Sequence, residues 1–250
     1  MRRVNDCVDA VYVLTVKTFA ERIAHMRREL GRHGIAFELV LAHDADGLEP
    51  ATVAATFSPS RMRAAHQSLV LKHIAAWRDA AGKGLQRVMV FEDDVILARD
   101  FGERLDEAMQ AADRLPPGWL VYLGGADAKV PDSYFLSDGP LIPLALATTE
   151  GYVTDAAAIQ RRLAWLDGNR IAQPADHLLK AMDAALGIPH YWLRPPIVEQ
   201  GSVTGIFPSV LDASRQKHSR AYNILRNRWS KFQRHRLRSW LAHARAFIGR

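Results

Sequence analysis

The stretch Arg87-Val88-Met89-Val90-Phe91-Glu92-Asp93-Asp94 decides the fold. Residues 87–91 form a short apolar run of the kind that a fully buried strand needs. That run passes straight into three consecutive acids. In open α/β sheets, ligands bind outside the carboxyl ends of the strands, so a strand ending in acids sets charge where a ligand would lie. Alternation along an extended segment puts Glu92 and Asp94 on one side. Two carboxylates that close repel each other unless a cation sits between them. A hard divalent ion, Mn²⁺ or Mg²⁺, suits carboxylate oxygens and bridges to phosphate. The chemistry this supports is the departure of a diphosphate leaving group, with Asp94 as the direct metal ligand and Glu92 the second. The plainer reading is a solvated turn whose acids cap the next helix. A phosphatase-type site would need an aspartate nucleophile at the strand end, where this chain has Glu92.

Working outward, strands and helices alternate. Residues 8–16 (VDAVYVLTV) read as a buried first strand. Phe19, Ile23, Met26 and Leu30 recur at helical spacing, which predicts a helix over 19–33 closed by Gly34. A second strand follows at 37–42, then a turn at Asp44-Ala45-Asp46-Gly47. A long helix is expected over 63–81, a helix over 101–115 and a strand over 119–123 ending at Gly124-Gly125. Residues 134–152 mix short apolar runs with Gly and Pro, as irregular antiparallel strands do. Helices are expected at 155–165 and 176–186, and a last strand at 190–193. This alternation predicts an α/β fold with a mainly parallel sheet.

The 250 residues are 48% hydrophobic and 24% charged, with one cysteine. This is the profile of a soluble globular chain large enough for one sizeable core. A single cysteine excludes an intramolecular disulfide framework and fits a reducing compartment. No stretch approaches the ~20 apolar residues of a membrane span. Asp6 and Asp9 interrupt what would be the apolar part of a leader, so none is expected. Charge divides the chain in two. Residues 1–212 hold 22 basic and 27 acidic residues, a formal −5, whereas residues 215–250 hold 11 Lys/Arg and no acid. The chain therefore reads as a 1–212 domain and a basic tail, 213–250.

On a helix, the tail collects Tyr222, Leu225, Trp229, Phe232, Trp240 and Phe247 on one half of its circumference. Arg220, Arg228, Lys231, Arg234, Arg238 and Arg245 fall on the other, with Arg226 and Arg236 out of pattern. Such an amphipathic helix suits an anionic membrane surface. Packing of the tail on the acidic body and contact with nucleic acid are the alternatives. The chain lacks a recognised nucleic-acid motif and its body is acidic, so no nucleic-acid partner is expected.

Several ordered pieces together resemble the family 25 glycosyltransferases, which include bacterial lipooligosaccharide galactosyltransferases. They are Tyr12-Val13-Leu14-Thr15 with Glu21-Arg22, Met26 and Leu30; Phe37-Glu38-Leu39-Val40 leading to Ala42-His43-Asp44 and Gly47; Ser68-Leu69 and Trp77; and Val90-Phe91-Glu92-Asp93-Asp94-Val95. Further on come Thr148-Thr149-Glu150-Gly151-Tyr152-Val153, Pro174-Ala175-Asp176 and Pro195-Pro196-Ile197-Val198-Glu199-Gln200-Gly201-Ser202. The resemblance covers about residues 10–210. It departs from the family's Ser-His at Ser68-Leu69, and from the Asn after the first strand at Thr15. It implies a GT-A-like nucleotide-sugar-binding fold. It also implies transfer of a hexose, usually galactose, from a UDP-sugar with inversion, onto a saccharide of lipooligosaccharide or lipopolysaccharide. Glu92-Asp93-Asp94 would stand in for the metal motif of such folds.

Inverting transfer needs a held leaving group, a general base and an acceptor groove. Within the resemblance, Asp93 is expected on the donor ribose or sugar, Asp44 on the uracil or ribose, and Arg22 and Lys72 near phosphate by charge. Thr15 and Ser68 fall among the donor contacts, and Gln200 and Ser202 lie in a turn that would close over donor or acceptor. Asp176 is the expected base, with Glu150 in reserve. A lipid-anchored acceptor and a membrane-docking tail together place the enzyme in the cytoplasm, peripheral on the inner face of the cytoplasmic membrane. A catalytically silent nucleotide-sugar or saccharide binder of the same fold is the second reading. A basic-tailed interaction protein is the third.

Overall fold

The first strand, β1 (Ala10–Leu14), is buried along its whole length. A computed structural model describes residues 2–125, 135–201, 207 and 240–242 of the chain. Tyr12 and Leu14 enter one core and Val11 and Val13 the other, so the strand's period of two feeds a layer on each side. A short helix, α1 (Val4–Cys7), precedes it. Helix α2 (Ala20–Arg32) follows and buries Met26 and Leu30, four residues apart on one face. It ends at Gly34, whose φ of 63° only glycine adopts at little cost, and the Ile35 N–H returns to the Leu30 carbonyl at 3.0 Å.

Strand β2 (Glu38–Val40), a 3₁₀ turn (Ala45–Gly47) and α3 (Pro50–Thr56) lead into α4 (Ala64–Gly82). Strand β3 (Arg87–Glu92) is the expected buried run. The extended backbone stops at Glu92. Asp93 and Asp94 form a turn and β4 (Val95–Leu97) leads away from it. Alternation therefore does not bring Glu92 and Asp94 together, as the sequence reading expected; the tight turn does. Next come α5 (Phe101–Ala112), β5 (Leu120–Tyr122), β6 (Leu141–Pro143) and β7 (Gly151–Asp155). Helices α6 (Ala156–Gly168) and α7 (Ala175–Ala185) and strands β8 (His190–Leu193) and β9 (Val198–Gln200) complete the described elements.

Seven strands form one sheet in the order β2-β1-β3-β7-β5-β8-β6, and β4 and β9 make a separate ribbon. The pairings β1–β2, β1–β3 and β5–β8 are parallel. Those of β7 with β3 and with β5, and of β6 with β8, are antiparallel. Five strands thus share one direction, and β6 and β7 oppose it. The sheet is mixed, with parallel direction prevailing. Helices α4, α6 and α7 pack on one face, while α1, α2 and α5 pack on the other. Residues 213–239 and 243–250 of the tail, and Ser202, lie outside the described residues.

The reversal of β7 matters most for the site. A parallel strand delivers its C-terminal residues to the end where β1 and β3 finish, whereas β7 delivers its N-terminal ones. Phe91 pairs with Gly151, and the Glu92 N–H donates to the Glu150 carbonyl at 3.0 Å. Glu150 therefore stands directly across from Glu92.

Candidate functional site

Carboxylates collect where β1 and β3 end and β7 begins. Asp93 is held from two sides. Thr15, the first residue after β1, donates its hydroxyl to Asp93 Oδ2 at 2.7 Å, and Arg22 on α2 donates Nη1 to Asp93 Oδ1 at 2.6 Å. Both bonds are charge-assisted, the stronger kind. The Arg22 guanidinium also lies over the rings of Phe19 and Phe207, at 5.5 and 5.4 Å. Three of the sequence candidates are thus one hydrogen-bonded unit.

Glu92 accepts the Thr149 hydroxyl at 2.7 Å. Its acid is pushed up to about 8, first by burial and then by the nearby charges of Asp94, Glu150 and Asp93, with the Thr149 bond opposing. Asp94 is buried beside it. The Asp94 carbonyl accepts the Gly201 N–H at 2.6 Å, and a Cβ on residue 201 would lie 2.6 Å from that oxygen. Only glycine lets the 198–201 segment press so close. Gln200 is set beside the turn because it pairs with Val95 in the β4–β9 ribbon.

A second cluster hangs on α4. Lys72, only 3% exposed, donates Nζ to the Ala42 carbonyl at 2.6 Å and to Asp44 Oδ1 at 2.7 Å. Asp44 Oδ2 accepts the Lys17 N–H at 3.1 Å. Burial alone would raise the Asp44 acid, but Lys72 and the Lys17 amide hold it below its usual value. Burial lowers the Lys72 ammonium against the pull of Asp44. Ser68 donates to the His43 carbonyl at 2.6 Å, and His43 itself has a φ of 62°. Lys72, Ser68 and Asp44 therefore fix the loop after β2, in a conformation that a non-glycine residue adopts only under constraint.

Asp176 lies in the first turn of α7, as the Pro174-Ala175-Asp176 reading expected. Its carboxylate accepts the N–H of His177 at 2.8 Å. Burial and then Arg63 lower the His66 imidazole on α4 below its usual value, and Asp176 opposes them. No hydrogen bond joins it to the acidic turn among the described residues. Glu150, the reserve candidate, is the one that the sheet carries to Glu92.

Sequence reading missed four participants. In the sequence Thr149 stands out only as part of the Thr148–Val153 segment of the family resemblance. Gly124 and Gly125 were read as a strand end, although Gly125 donates its N–H to Glu150 Oε1. Trp192 is fully buried and donates Nε1 to the Gly124 carbonyl at 2.6 Å. The doubled glycine after a strand was the available signal, but its partner lies 25 residues on.

Among the described residues, no group of three or more His, Cys, Asp or Glu side chains is arranged to hold a metal ion. With Asp93 clamped by Arg22 and Thr15, the chain offers Glu92 and Asp94. One or two carboxylates are what Mg²⁺-like ions take from a protein when substrate phosphates and water complete the shell. The like-charge crowding that raises Glu92 is what a cation would relieve. The donor set fits such an ion as a shared site and not as a closed protein cage.

Residues 8–127 match the family model described as glycosyltransferase family 25 (LPS biosynthesis protein). The lacto-N-neotetraose biosynthesis glycosyltransferase LgtE of Neisseria meningitidis serogroup B is 25% identical over 209 residues, 76% of this chain and 73% of that protein. LgtB of the same organism, with the same description, is 30% identical over 110 residues, 42% of this chain and 40% of that protein. The probable inactive glycosyltransferase 25 family member 3 of Rattus norvegicus is 26% identical over 188 residues, 70% of this chain and 33% of that protein.

Proposed function

We infer that the protein is a glycosyltransferase, because its residues 8–127 match the glycosyltransferase family 25 model. It uses a nucleotide-sugar donor and a saccharide acceptor. We propose that the donor is a UDP-hexose, most simply UDP-galactose, and that the acceptor is a saccharide of lipooligosaccharide or lipopolysaccharide. We further propose that the fold is of GT-A type and that transfer inverts the anomeric centre. The observation that carries this reading is the acidic turn 92–94. It lies at the common end of β1 and β3, with one carboxylate clamped and two more beside a third from β7.

Asp94 with Glu92 would hold Mn²⁺ or Mg²⁺, which when bound neutralises charge on the departing diphosphate. The chain's own residues do the rest. Thr15 and Arg22 fix Asp93, each binding one of its oxygens, and the lone pairs left on the carboxylate are proposed to accept from the donor ribose or sugar. Lys72 and Ser68 set the 42–44 loop so that Asp44 meets the nucleoside. Glu150 accepts the acceptor hydroxyl's proton, and Asp176 on the rim of α7 is the other candidate for that task. Gln200, which pairs with Val95 beside the acidic turn, is proposed to close over donor or acceptor.

The basic tail is proposed to dock on an anionic membrane, placing the enzyme on the inner face of the cytoplasmic membrane. In the part of it that is described, Trp240 is 67% exposed and Ala242 is buried. No described helix is long and apolar enough to cross a membrane.

The test is a thermal-shift screen of nucleotide-sugars with and without Mn²⁺, since a ligand that binds only the folded state raises its apparent stability. A UDP-specific, metal-dependent shift is expected, and Asp94→Ala should remove both the shift and turnover. Absence of any shift would sink the transferase reading. The similarity to a probable inactive family member favours a second reading, a nucleotide-sugar binder without turnover. A shift with no sugar transfer or donor hydrolysis would select it.

A further inference from the structure

We propose that Gly124 and Gly125, anchored from beneath by Trp192, form a backbone shelf that positions Glu150 for proton abstraction. The inference rests on the transferase reading above and assigns positioning residues to it.

The shelf is built from three contacts. The Gly125 N–H donates to Glu150 Oε1. The Gly124 carbonyl accepts the Trp192 indole N–H at 2.6 Å, and Trp192 is fully buried, so the shelf stands on the core. The Glu150 side chain lies against the open face of Gly124, where a Cβ would come within 2.7 Å of Glu150 Cδ. Position 124 thus excludes every residue but glycine for as long as the carboxylate stays where it is. Gly125 is glycine for a separate reason, its φ of 94°.

The Glu150 carbonyl accepts the Glu92 N–H at 3.0 Å, so backbone and side chain are both fixed. A general base must meet its proton within hydrogen-bond reach, and small displacements cost rate steeply. In the proposed step, the acceptor hydroxyl gives its proton to Glu150 as its oxygen bonds the anomeric carbon. The bond from that carbon to the diphosphate oxygen breaks, and its electron pair leaves with the nucleoside diphosphate.

The atoms met by a Cβ at position 124 belong to the Glu150 side chain, not to backbone. Gly124→Ala should therefore evict the carboxylate and leave the fold intact. We expect Gly124→Ala to lower kcat at least about tenfold, with donor KM within about twofold and melting temperature unchanged. Glu150→Gln should lower kcat about a hundredfold or more. The double variant should be no worse than Glu150→Gln, because both changes remove one function. Gly168→Ala, where a Cβ meets nothing within 4 Å, is the silent control.

The Gly125 amide resonance in ¹⁵N NMR reads the shelf without turnover. Glu150→Gln and Gly124→Ala should each move it upfield and weaken its exchange protection. Full kcat in Gly124→Ala, or a further multiplicative loss in the double variant, overturns the proposal. A kcat loss with the Gly125 amide unmoved also overturns it. If both variants move the amide but the wild-type protein turns over no nucleotide-sugar, the transferase reading has failed. The shelf is then structural only, and its catalytic role is overturned.

Discussion

Thr15 and Arg22 illustrate how much of this site is spent on holding one carboxylate. Asp93 is buried, and a buried charge costs several kcal/mol unless it is paired and hydrogen-bonded. Two donors from different elements meet that cost, and each takes a different oxygen. Thr15→Val keeps the shape and removes one donor. A bond to a charged acceptor contributes about 1.5–3 kcal/mol, so urea unfolding should report a loss of that order. Donor KM should rise with it, because Asp93 is freed to turn. An unchanged unfolding midpoint would mean that Arg22 alone fixes Asp93. At the same scale, Glu92 and Glu150 face each other across an antiparallel pair, an arrangement that destabilises a sheet unless protons or cations intervene. Such an unfavourable pairing is expected where function concentrates, and it supports the proposed site.

Helix α4 works on both sides of the site. Its first turns carry Ser68 and Lys72 to the β2 loop. The next residue, His73, is buried in the core, where its Nδ1 meets the Tyr152 hydroxyl at 2.9 Å; Trp77 Nε1 donates to the same hydroxyl at 3.0 Å. Among the described residues His73 Nε2 has no hydrogen-bond partner. Burial, helped by Arg162, lowers this imidazole to about 3. The unfolded chain binds the proton near pH 6.5 and the folded chain does not, so acid favours unfolding. His73 imposes no penalty above pH 6.5. As pH falls below that, stability drops with a slope approaching about 1.4 kcal/mol per pH unit. Urea unfolding between pH 6.5 and 5 should show this limb in the wild type and a flatter one in His73→Gln. Equal slopes would mean that His73 titrates in the fold. Beneath α4, Arg162 on α6 is fully buried and pairs with Asp183 on α7 at 2.8 and 2.6 Å. Asp183 also takes His190 Nε2 at 2.7 Å, so one acid ties α6, α7 and β8 together.

At the scale of the whole molecule, charge is distributed as two bodies. The formal −5 of residues 1–212 and the 11 basic residues of 215–250 would repel and attract an anionic surface respectively. Each Lys or Arg near such a surface contributes about 1 kcal/mol. Full-length protein should therefore float with vesicles containing phosphatidylglycerol, and a 1–214 truncation should not. Donor-dependent thermal shift should survive the truncation, because the described site residues lie before it. Equal flotation of both proteins would remove the membrane role of the tail.

The sequence by itself determined the alternation of elements, the buried strand at 87–91 and the acids that follow it. Local patterning decides these, since a strand buried on both faces must be apolar throughout and a helix on a sheet must repeat every three to four residues. Hence β1, β3, β8 and helices α2, α4, α5, α6 and α7 fall within a few residues of expectation, whereas the short helices α1 and α3 carry no such pattern and were not expected. Sequence also carried the family resemblance, because ordered short motifs survive at 25% identity. Only the tertiary structure decided which acids meet. The direction of β7 is set by the path of the chain from β5 onward, not by any residue in it, and reversal carries Glu150 to Glu92. Gly124 acquires a purpose only when the Glu150 side chain, far along the chain, fills the space that its missing Cβ leaves, and Gly125 only when its N–H meets that same carboxylate. Thr15, Arg22 and Asp93 were legible as separate candidates. Their union required two parallel strands to end side by side, a long-range contact that no local pattern encodes.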